Sequence, residues 1–173
     1  NNFEAKIFVE QYISDFNQEK DINRFFHFPV VWLVDNTSFP KMEDDASKKL
    51  IDELVSIHGP VVFHQSGGCC DGSAPMCYPR NEFKVGSRDI FLGFLEKQPF
   101  FIAEDQFVFW EHTQLIIDVV DGRGGMFSIE GSTGKRFLTR SKVFNDEELK
   151  EIKNNPPVKA KDIDFIDGLE TTS

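Results

Sequence analysis

The sequence predicts an α+β domain in which mainly antiparallel strands are flanked by helices. Short β-branched and aromatic runs, separated by glycine or proline, recur from residue 61 to residue 140. Apolar residues at helical spacing occur before this region. The chain also has 19 phenylalanines against two tyrosines and two tryptophans. Because a phenyl ring needs no hydrogen-bond partner, this composition is typical of a dry, aromatic interior.

Residues 1–44 are predicted to form a helical appendage. Apolar residues three and four positions apart predict a helix over about residues 3–18, and the run VVWLV at 30–34 has strand character. The polar stretch DNTSFPKMEDD that follows is typical of a linker. An apolar helix of this kind must pack on the main domain or on another subunit, so a homodimer is one expectation.

The body of the protein is predicted to span residues 45–153. A helix from about Ala46 to Ile57 ends at Gly59 and Pro60 and leads directly into the strand VVFH. The other apolar runs predict a helical turn at EDQFVFWEH and, in chain order, strands at EFKV, RDIFLGFL, PFFIA, TQLIIDVV, MFSIE and RFLTR.

The end of the body carries a turn signal and a capping signal. The glycine-rich segment Asp121–Gly125 predicts a tight turn between strands. Asn145 and Glu148 have the spacing of a capping box, which predicts a last helix that ends near Lys153. Residues 154–173 are polar and interrupted by prolines, so we expect a mobile tail.

The charge balance excludes two classes of partner. The formal net charge is −10 and the isoelectric point is about 4.8. Such a chain is repelled by nucleic-acid phosphates and by anionic lipid headgroups, so we expect neither nucleic acid nor membrane as a partner. No apolar run approaches the roughly 20 residues that cross a bilayer. The opening segment lacks the apolar core of a secretory signal, which favours a cytoplasmic location.

Side chains that bind transition metals are concentrated in the segment HQSGGCCDGSAPMCY, residues 64–78. It contains all three cysteines, Cys69, Cys70 and Cys77, together with His64. An odd, clustered set of cysteines is not a secreted disulfide framework and fits reduced thiols in the cytosol. Thiolate and imidazole are ligands that zinc, copper and ferrous iron prefer, and a Gly-Gly step lets the backbone approach an ion closely. We therefore expect a metal site with Cys69, Cys70, Cys77 and His64 as candidate ligands, although one of the adjacent cysteines could point away from the ion.

Other interpretations of this segment remain open. His112 heads a predicted strand and is a further candidate ligand, with Glu111 as its partner. Cys69 or Cys70 would instead be a nucleophile if His64 or His112 activated the thiol. The cysteines would be inert if they were packed as small apolar residues.

From about residue 45 to residue 150 the chain resembles a bacterial family, domain of unknown function 779. The resemblance rests on the long strings HGPVVFHQSGGCCDGSAPMCYP, EFKVGSRDIFLG, FIAEDQFVFWEHTQLIIDVVDGRGGMFSIE and RFLTRSKVF. It implies an association with aldehyde and alcohol oxidation, because the family is generally encoded beside aldehyde dehydrogenases. An aldehyde dehydrogenase is therefore an expected partner, while no reaction carries over from the family.

Two looser likenesses concern the fold. The order of helix, strand, Gly-Gly-Cys loop and further strands is similar to that of HesB-type iron-sulfur carriers. That family closes its site with a second cysteine pair, and this chain has no cysteine after Cys77, so only the scaffold is expected to be shared. The first 40 residues are similar to the opening of cone-shaped domains related to nuclear transport factor two.

The sequence thus leads to one main functional hypothesis and two alternatives. The main hypothesis is a small metal-binding accessory protein of aldehyde and alcohol metabolism, which is not itself an enzyme. The first alternative is a thiol-dependent enzyme or redox protein with Cys69 or Cys70 as its nucleophile. The second is a partner of an aldehyde dehydrogenase without any catalytic group of its own.

Overall fold

The structure is a computed structural model that describes residues 45–65, 74–154, 156–163, 166 and 168–172. The predicted N-terminal appendage, with its likeness to a cone-shaped domain, lies outside these residues. So does the segment 66–73, which contains Cys69 and Cys70. The elements in chain order are α1 (Asp45–His58), β1 (Val61–Gln65), β2 (Met76–Pro79), β3 (Lys84–Val85), β4 (Ile90–Leu95), β5 (Gln98–Ile102), α2 (Glu104–Trp110), β6 (Thr113–Asp121), a 3-10 helix (Ile129–Thr133), β7 (Lys135–Val143), α3 (Asp146–Asn154), a second 3-10 helix (Ala160–Asp162) and β8 (Glu170–Thr171).

A four-stranded sheet in the order β2-β1-β5-β4 forms the centre of the domain. β1 is antiparallel to β2 and parallel to β5, and β4 and β5 form an antiparallel hairpin. β6 and β7 pair as a long antiparallel hairpin, and β3 pairs with β8 in parallel. The sheets are therefore mostly antiparallel and accompanied by helices, which confirms the predicted α+β class.

One face of the four-stranded sheet is covered by α1 and by the β6–β7 hairpin. We call it the Cys77 face, because Cys77 and Phe63 lie in its core. The other buried members of this core come from α1, the sheet and the hairpin and include Leu50, Ile51, Leu54, Phe100, Ile102, Leu115, Ile117 and Phe137. Phenyl rings meet edge to face here, since Phe63 lies 5.1 Å from Phe137 between ring centroids. This packing accounts for the high phenylalanine content.

The opposite face of the sheet has a smaller core, which we call the His64 face. Val62, Phe91 and Phe101 are buried on it, together with Val85 of β3 and Ala160 from the C-terminal segment. Successive side chains of a strand point to opposite faces, so Val62 and Phe63 belong to different cores. The same alternation separates His64 from Gln65.

Several elements appear where the sequence predicts them. α1 spans Asp45–His58 and is followed by Gly59 with φ of +76°, a left-handed conformation that glycine adopts without strain. The predicted capping box is present, because the Asn145 N–H donates to Glu148 Oε2 (2.8 Å) and the Glu148 N–H donates to Asn145 Oδ1 (2.9 Å). EDQFVFW forms a helix and TQLIIDVVD a strand.

The predictions of a strand at MFSIE and of a tight turn at Asp121–Gly125 are wrong. β6 pairs with β7 up to Asp121 and Lys135, so residues 122–134 together form the connection. Within it the Ser128 N–H donates to the Gly125 carbonyl (3.0 Å), and a 3-10 helix starts at Ile129. Burial of the Glu130 carboxyl beside the Ser128 hydroxyl explains this folded connection, because a buried polar group needs a partner.

The residues after α3 also differ from the predicted mobile tail. The Phe91 N–H donates to the Val158 carbonyl (2.9 Å), and the Ala160 N–H donates to the Asp89 carbonyl (2.8 Å). Ala160 is fully buried. Ile90 and Lys159 form an antiparallel bridge, so the segment partly covers the outer edge of β4, which would otherwise be open.

Candidate functional site

The most distinctive polar pair on the His64 face joins His64 of β1 to Asp89, which precedes β4. His64 Nε2 lies 2.7 Å from Asp89 Oδ2. Both side chains are largely buried, with 7% of the imidazole and 15% of the carboxylate exposed. A carboxylate oxygen at this distance accepts a hydrogen bond, so the ring proton is placed on Nε2. The pair fixes both the orientation and the tautomer of the imidazole.

The segment Gly86–Asp89 forms the turn that presents Asp89. The Asp89 N–H donates to the Gly86 carbonyl (2.9 Å), and the Gly86 N–H donates back to Asp89 Oδ2 (2.8 Å). A Cβ atom at Gly86 would lie 2.9 Å from both carboxylate oxygens, which real Cβ atoms essentially never do. Glycine at this position therefore lets the carboxylate fold back over the turn and accept from both the backbone and His64.

Aromatic rings enclose this pair on one side. Phe83 lies 5.2 Å from the His64 ring between centroids and stacks on Tyr78 at 4.3 Å. The Tyr78 hydroxyl donates to the Met76 sulfur (3.1 Å). These apolar walls exclude water from the imidazole and strengthen its interaction with the carboxylate.

The chain position of His64 places it next to the segment that carries two of the candidate thiols. His64 pairs with Met76 across the β1–β2 ladder, and residues 66–73 connect these two strands. Four residues separate His64 from Cys69 along the chain. Because an extended residue spans only about 3.3 Å or slightly more, the short chain between them limits how far Cys69 and Cys70 can lie from His64. Both thiols are therefore candidates to approach its imidazole.

Cys77 lies on the opposite face of the sheet from His64. It lies in β2, opposite Phe63, and is fully buried in the core of the Cys77 face. Its N–H donates to Ser128 Oγ (2.8 Å). Burial, followed by the nearby Glu130 carboxylate, raises the pKa of the Cys77 thiol far above its ordinary value. A thiol kept protonated in an apolar core is a poor nucleophile.

Glu130 is a buried ionisable residue that the sequence analysis does not single out. Its carboxyl is buried and hydrogen-bonded to the Ser128 hydroxyl. Burial raises the pKa of Glu130, while the Ser128 hydrogen bond lowers it in part. A Cβ atom at Gly124 would approach Glu130 Oε1 to 2.6 Å. The glycines before Glu130 are the sequence signal of this close packing, although their pattern alone predicts a tight turn.

His112 is exposed and directly precedes β6. Its side chain is 69% exposed, and its Nε2 lies 3.4 Å from Oε1 of the neighbouring Glu111. The structure therefore leaves His112 at the surface beside the partner that the sequence suggested.

The candidate ligands are thus only partly brought together. His64 and Cys77 point to opposite faces of one sheet, and Cys69 and Cys70 lie outside the described residues. Within the described ranges there is no group of three or more His, Cys, Asp or Glu side chains that could hold a metal ion. What the described residues do provide is one imidazole fixed by a carboxylate, the arrangement that orients and strengthens either a metal-binding or a basic histidine.

The helices in the described part of the chain include none with the length and apolar composition needed to cross a membrane.

Comparison with known proteins identifies the family. Residues 50–143 match the family model described as Domain of unknown function (DUF779). The matched stretch starts in α1 and ends with β7, so it includes His64, Asp89, Cys77 and Glu130. No curated protein and no solved structure matches the chain. The match covers more than half of the sequence and confirms the resemblance inferred from its motifs: the chain belongs to the DUF779 family.

Proposed function

We propose that this protein is a small metal-binding accessory protein whose site lies where β1 enters the segment 66–73. His64 provides an imidazole ligand, and Cys69 and Cys70 provide thiolates. Asp89 is the carboxylate that orients His64. The observation that carries the proposal is the largely buried contact of 2.7 Å between His64 Nε2 and Asp89 Oδ2.

The carboxylate supports metal binding through the ligand that it holds. Histidines that bind metals generally donate their other ring N–H to a carboxylate, a carbonyl or water, which fixes the ring and makes it a better ligand. His64 has this partner within an aromatic surrounding, formed by Phe83 and Tyr78. Imidazole combined with thiolate suits zinc, iron or copper. A bound ion of this kind would supply a Lewis acid or, for iron and copper, a redox centre.

We propose a smaller set of metal ligands than the sequence suggests. We leave Cys77 out because its thiol faces the apolar core, where the pKa is raised by burial. We leave His112 out because it is exposed beside Glu111. Cys69, Cys70 and His64 therefore form the site, and Asp89 supports it.

The first experiment measures metal content and affinity. Protein purified without oxygen is analysed for bound metals and then titrated with zinc, copper or ferrous iron. We expect one ion per chain, and we expect Cys69→Ser, Cys70→Ser and His64→Ala each to abolish or strongly weaken its binding. Asp89→Asn removes only the supporting carboxylate, and such changes reduce metal affinity roughly 10 to 100-fold.

Two control variants use residues that the sequence also suggested as ligands. Cys77→Ala and His112→Ala should keep the full metal stoichiometry. A protein that neither contains nor takes up any of these metals contradicts the proposal. So does a protein whose binding depends on Cys77 or His112 and not on His64.

The same histidine and aspartate also favour a second function, a thiol-dependent enzyme or redox protein. An imidazole fixed by a carboxylate is the usual activator of a nucleophilic thiol. In that case Cys69 or Cys70 would react with iodoacetamide at a pH well below the ordinary thiol pKa of about 8.5. The His64→Ala variant would lose this reactivity. Metal binding without such enhanced reactivity favours the accessory protein.

The proposal includes a cytoplasmic setting and an aldehyde dehydrogenase as partner. The cytoplasmic setting follows from the reduced thiols, and the partner follows from the family resemblance. Co-purification of tagged protein from cells that express the dehydrogenase tests the partner. Complex formation that is lost in Cys69→Ser and Cys70→Ser protein would connect the partner to the metal site, whereas complex formation that persists would favour a partner with inert cysteines.

A further inference from the structure

The C-terminal segment around Lys159, which we call the strap (residues 158–163), contacts the turn that holds Asp89. The Ala160 N–H donates to the Asp89 carbonyl (2.8 Å), and the Lys161 N–H donates to the Ser87 carbonyl (3.1 Å). Both bonds are made to the Gly86–Asp89 turn. The backbone of the carboxylate that orients His64 is therefore held from outside by the strap.

An ion-pair cluster ties the strap and the turn to the start of α2. Lys159 Nζ donates to Glu104 Oε1 (2.7 Å), and Arg88 pairs with Glu104 Oε2. Glu104 is the first residue of α2 and follows β5 closely. The strap and the turn are therefore both held to α2 through one carboxylate. The hydrogen bonds from Lys159 and from Arg88 hold the pKa of Glu104 below its ordinary value.

The strap also lies outside the stretch that defines the family. The family model ends at residue 143, and the strap packs on residues inside that stretch. Ala160 is fully buried among Val62, Phe91 and Phe101. The contact is therefore a packed part of the His64 face and not a loose surface association.

We propose that the strap is a positioning element for the His64–Asp89 pair, with Lys159 as the positioning residue that holds it in place through Glu104. Lys159 acts on His64 indirectly and is not a proposed ligand. It acts by fixing Arg88 and Asp89 in the turn, and Asp89 in turn fixes the His64 ring. The consequence for metal affinity rests on the proposed function, whereas the effect on His64 does not.

The test compares Lys159→Met with a matched control on the same segment. Lys161→Met changes a neighbouring lysine that is exposed. In metal-free protein the nitrogen and proton NMR signals of the His64 ring report its tautomer and its hydrogen bond to Asp89. We expect Lys159→Met to shift these signals and to weaken zinc affinity by about fivefold or more. We expect Lys161→Met to change neither and Lys159→Arg to restore both.

Several outcomes decide the inference. Unchanged His64 signals in folded Lys159→Met protein overturn it, as do equal changes in the Lys161→Met control. If Lys159→Met does not fold, Glu104→Gln takes its place, because it weakens both ion pairs with little change in shape. Unchanged His64 signals in that variant also overturn the inference. Shifted His64 signals in a protein that binds no metal would support the positioning role and contradict the proposed function, so the two failures are distinguishable.

Discussion

The two faces of the central sheet differ in what they bury. The Cys77 face is filled mainly by phenyl and aliphatic side chains under α1 and the β6–β7 hairpin. The His64 face buries an imidazole and a carboxylate in contact, beside the aromatic rings of Tyr78 and Phe83. Cys77 and His64 belong to one short motif in the sequence, yet a sheet lies between their side chains. A dense set of ligand-type residues in a strand-rich segment is therefore divided between faces by the alternation of side chains.

The largest effect that we predict is the protection of Cys77. In the double variant Cys69→Ser, Cys70→Ser, the remaining thiol is fully buried, and its pKa is raised by burial and by Glu130. Cys77 can then be labelled only when the core opens. The free energy of this opening is a large part of the free energy of unfolding, which is several kcal/mol for a typical domain. We expect labelling by iodoacetamide at least about a thousandfold slower than in the unfolded chain.

The control for this labelling is the same variant in denaturant, where Cys77 should react at the rate of an ordinary thiol. Labelling of the native protein at nearly that rate would place Cys77 at an accessible position. It would also remove the distinction between the two faces, and Cys77 would return to the set of candidate ligands.

A truncation on each face measures the difference in packing. Phe63 is fully buried and contacts Phe100 and Phe137 edge to face. Phe63→Ala should lower the free energy of unfolding by about 3 to 5 kcal/mol, the usual cost of a deleted core ring. Phe83 on the His64 face is only partly buried, and Phe83→Ala should cost about 1 kcal/mol. Urea denaturation followed by circular dichroism gives both values, and equal costs would contradict the comparison.

The sequence predicts the parts of this fold whose signals are local. Helix α1, the capping box of Asn145 and Glu148 and the long strand β6 depend on spacing within a few residues, and all are present. β2 was missed because it has only four residues and follows a glycine-rich segment. The prediction of a strand at MFSIE is wrong because burial of the Glu130 carboxyl determines the conformation of this segment. The strap was missed because its polar sequence gains order only from the edge of β4.

The candidate site divides in the same way. His64 is recognisable from the sequence because all three cysteines follow it within 13 residues. Its partner Asp89 was missed because it lies 25 residues further along the chain, and only the folded turn at Gly86 brings the carboxylate back. The one local signal for Asp89 was its place in GSRD, directly before an apolar strand. The spacing of residues along the chain does not reveal how two strands pair. Only the register of β1 with β2 shows that Cys77 and His64 lie on opposite faces of the sheet.

The smallest effect that we predict concerns Glu130, whose buried carboxyl lies near Cys77. Burial raises the pKa of Glu130 in the folded protein above its ordinary value of 4.5. The folded state then holds this proton more tightly than the unfolded state does. Stability is greatest below the ordinary pKa and falls as the pH rises towards the raised pKa.

Glu130→Gln keeps a hydrogen-bonding group beside Ser128 and cannot ionise. We therefore expect the variant to lose this part of the pH dependence and to gain on the order of 1 kcal/mol in stability at neutral pH relative to the wild type. Unfolding free energies measured between pH 4 and pH 8 test this, with the exposed Glu147→Gln as the matched control. If the unfolding free energies of the wild type and of Glu130→Gln depend on pH in the same way, the carboxyl is solvated in the folded protein. Water then reaches the core of the Cys77 face.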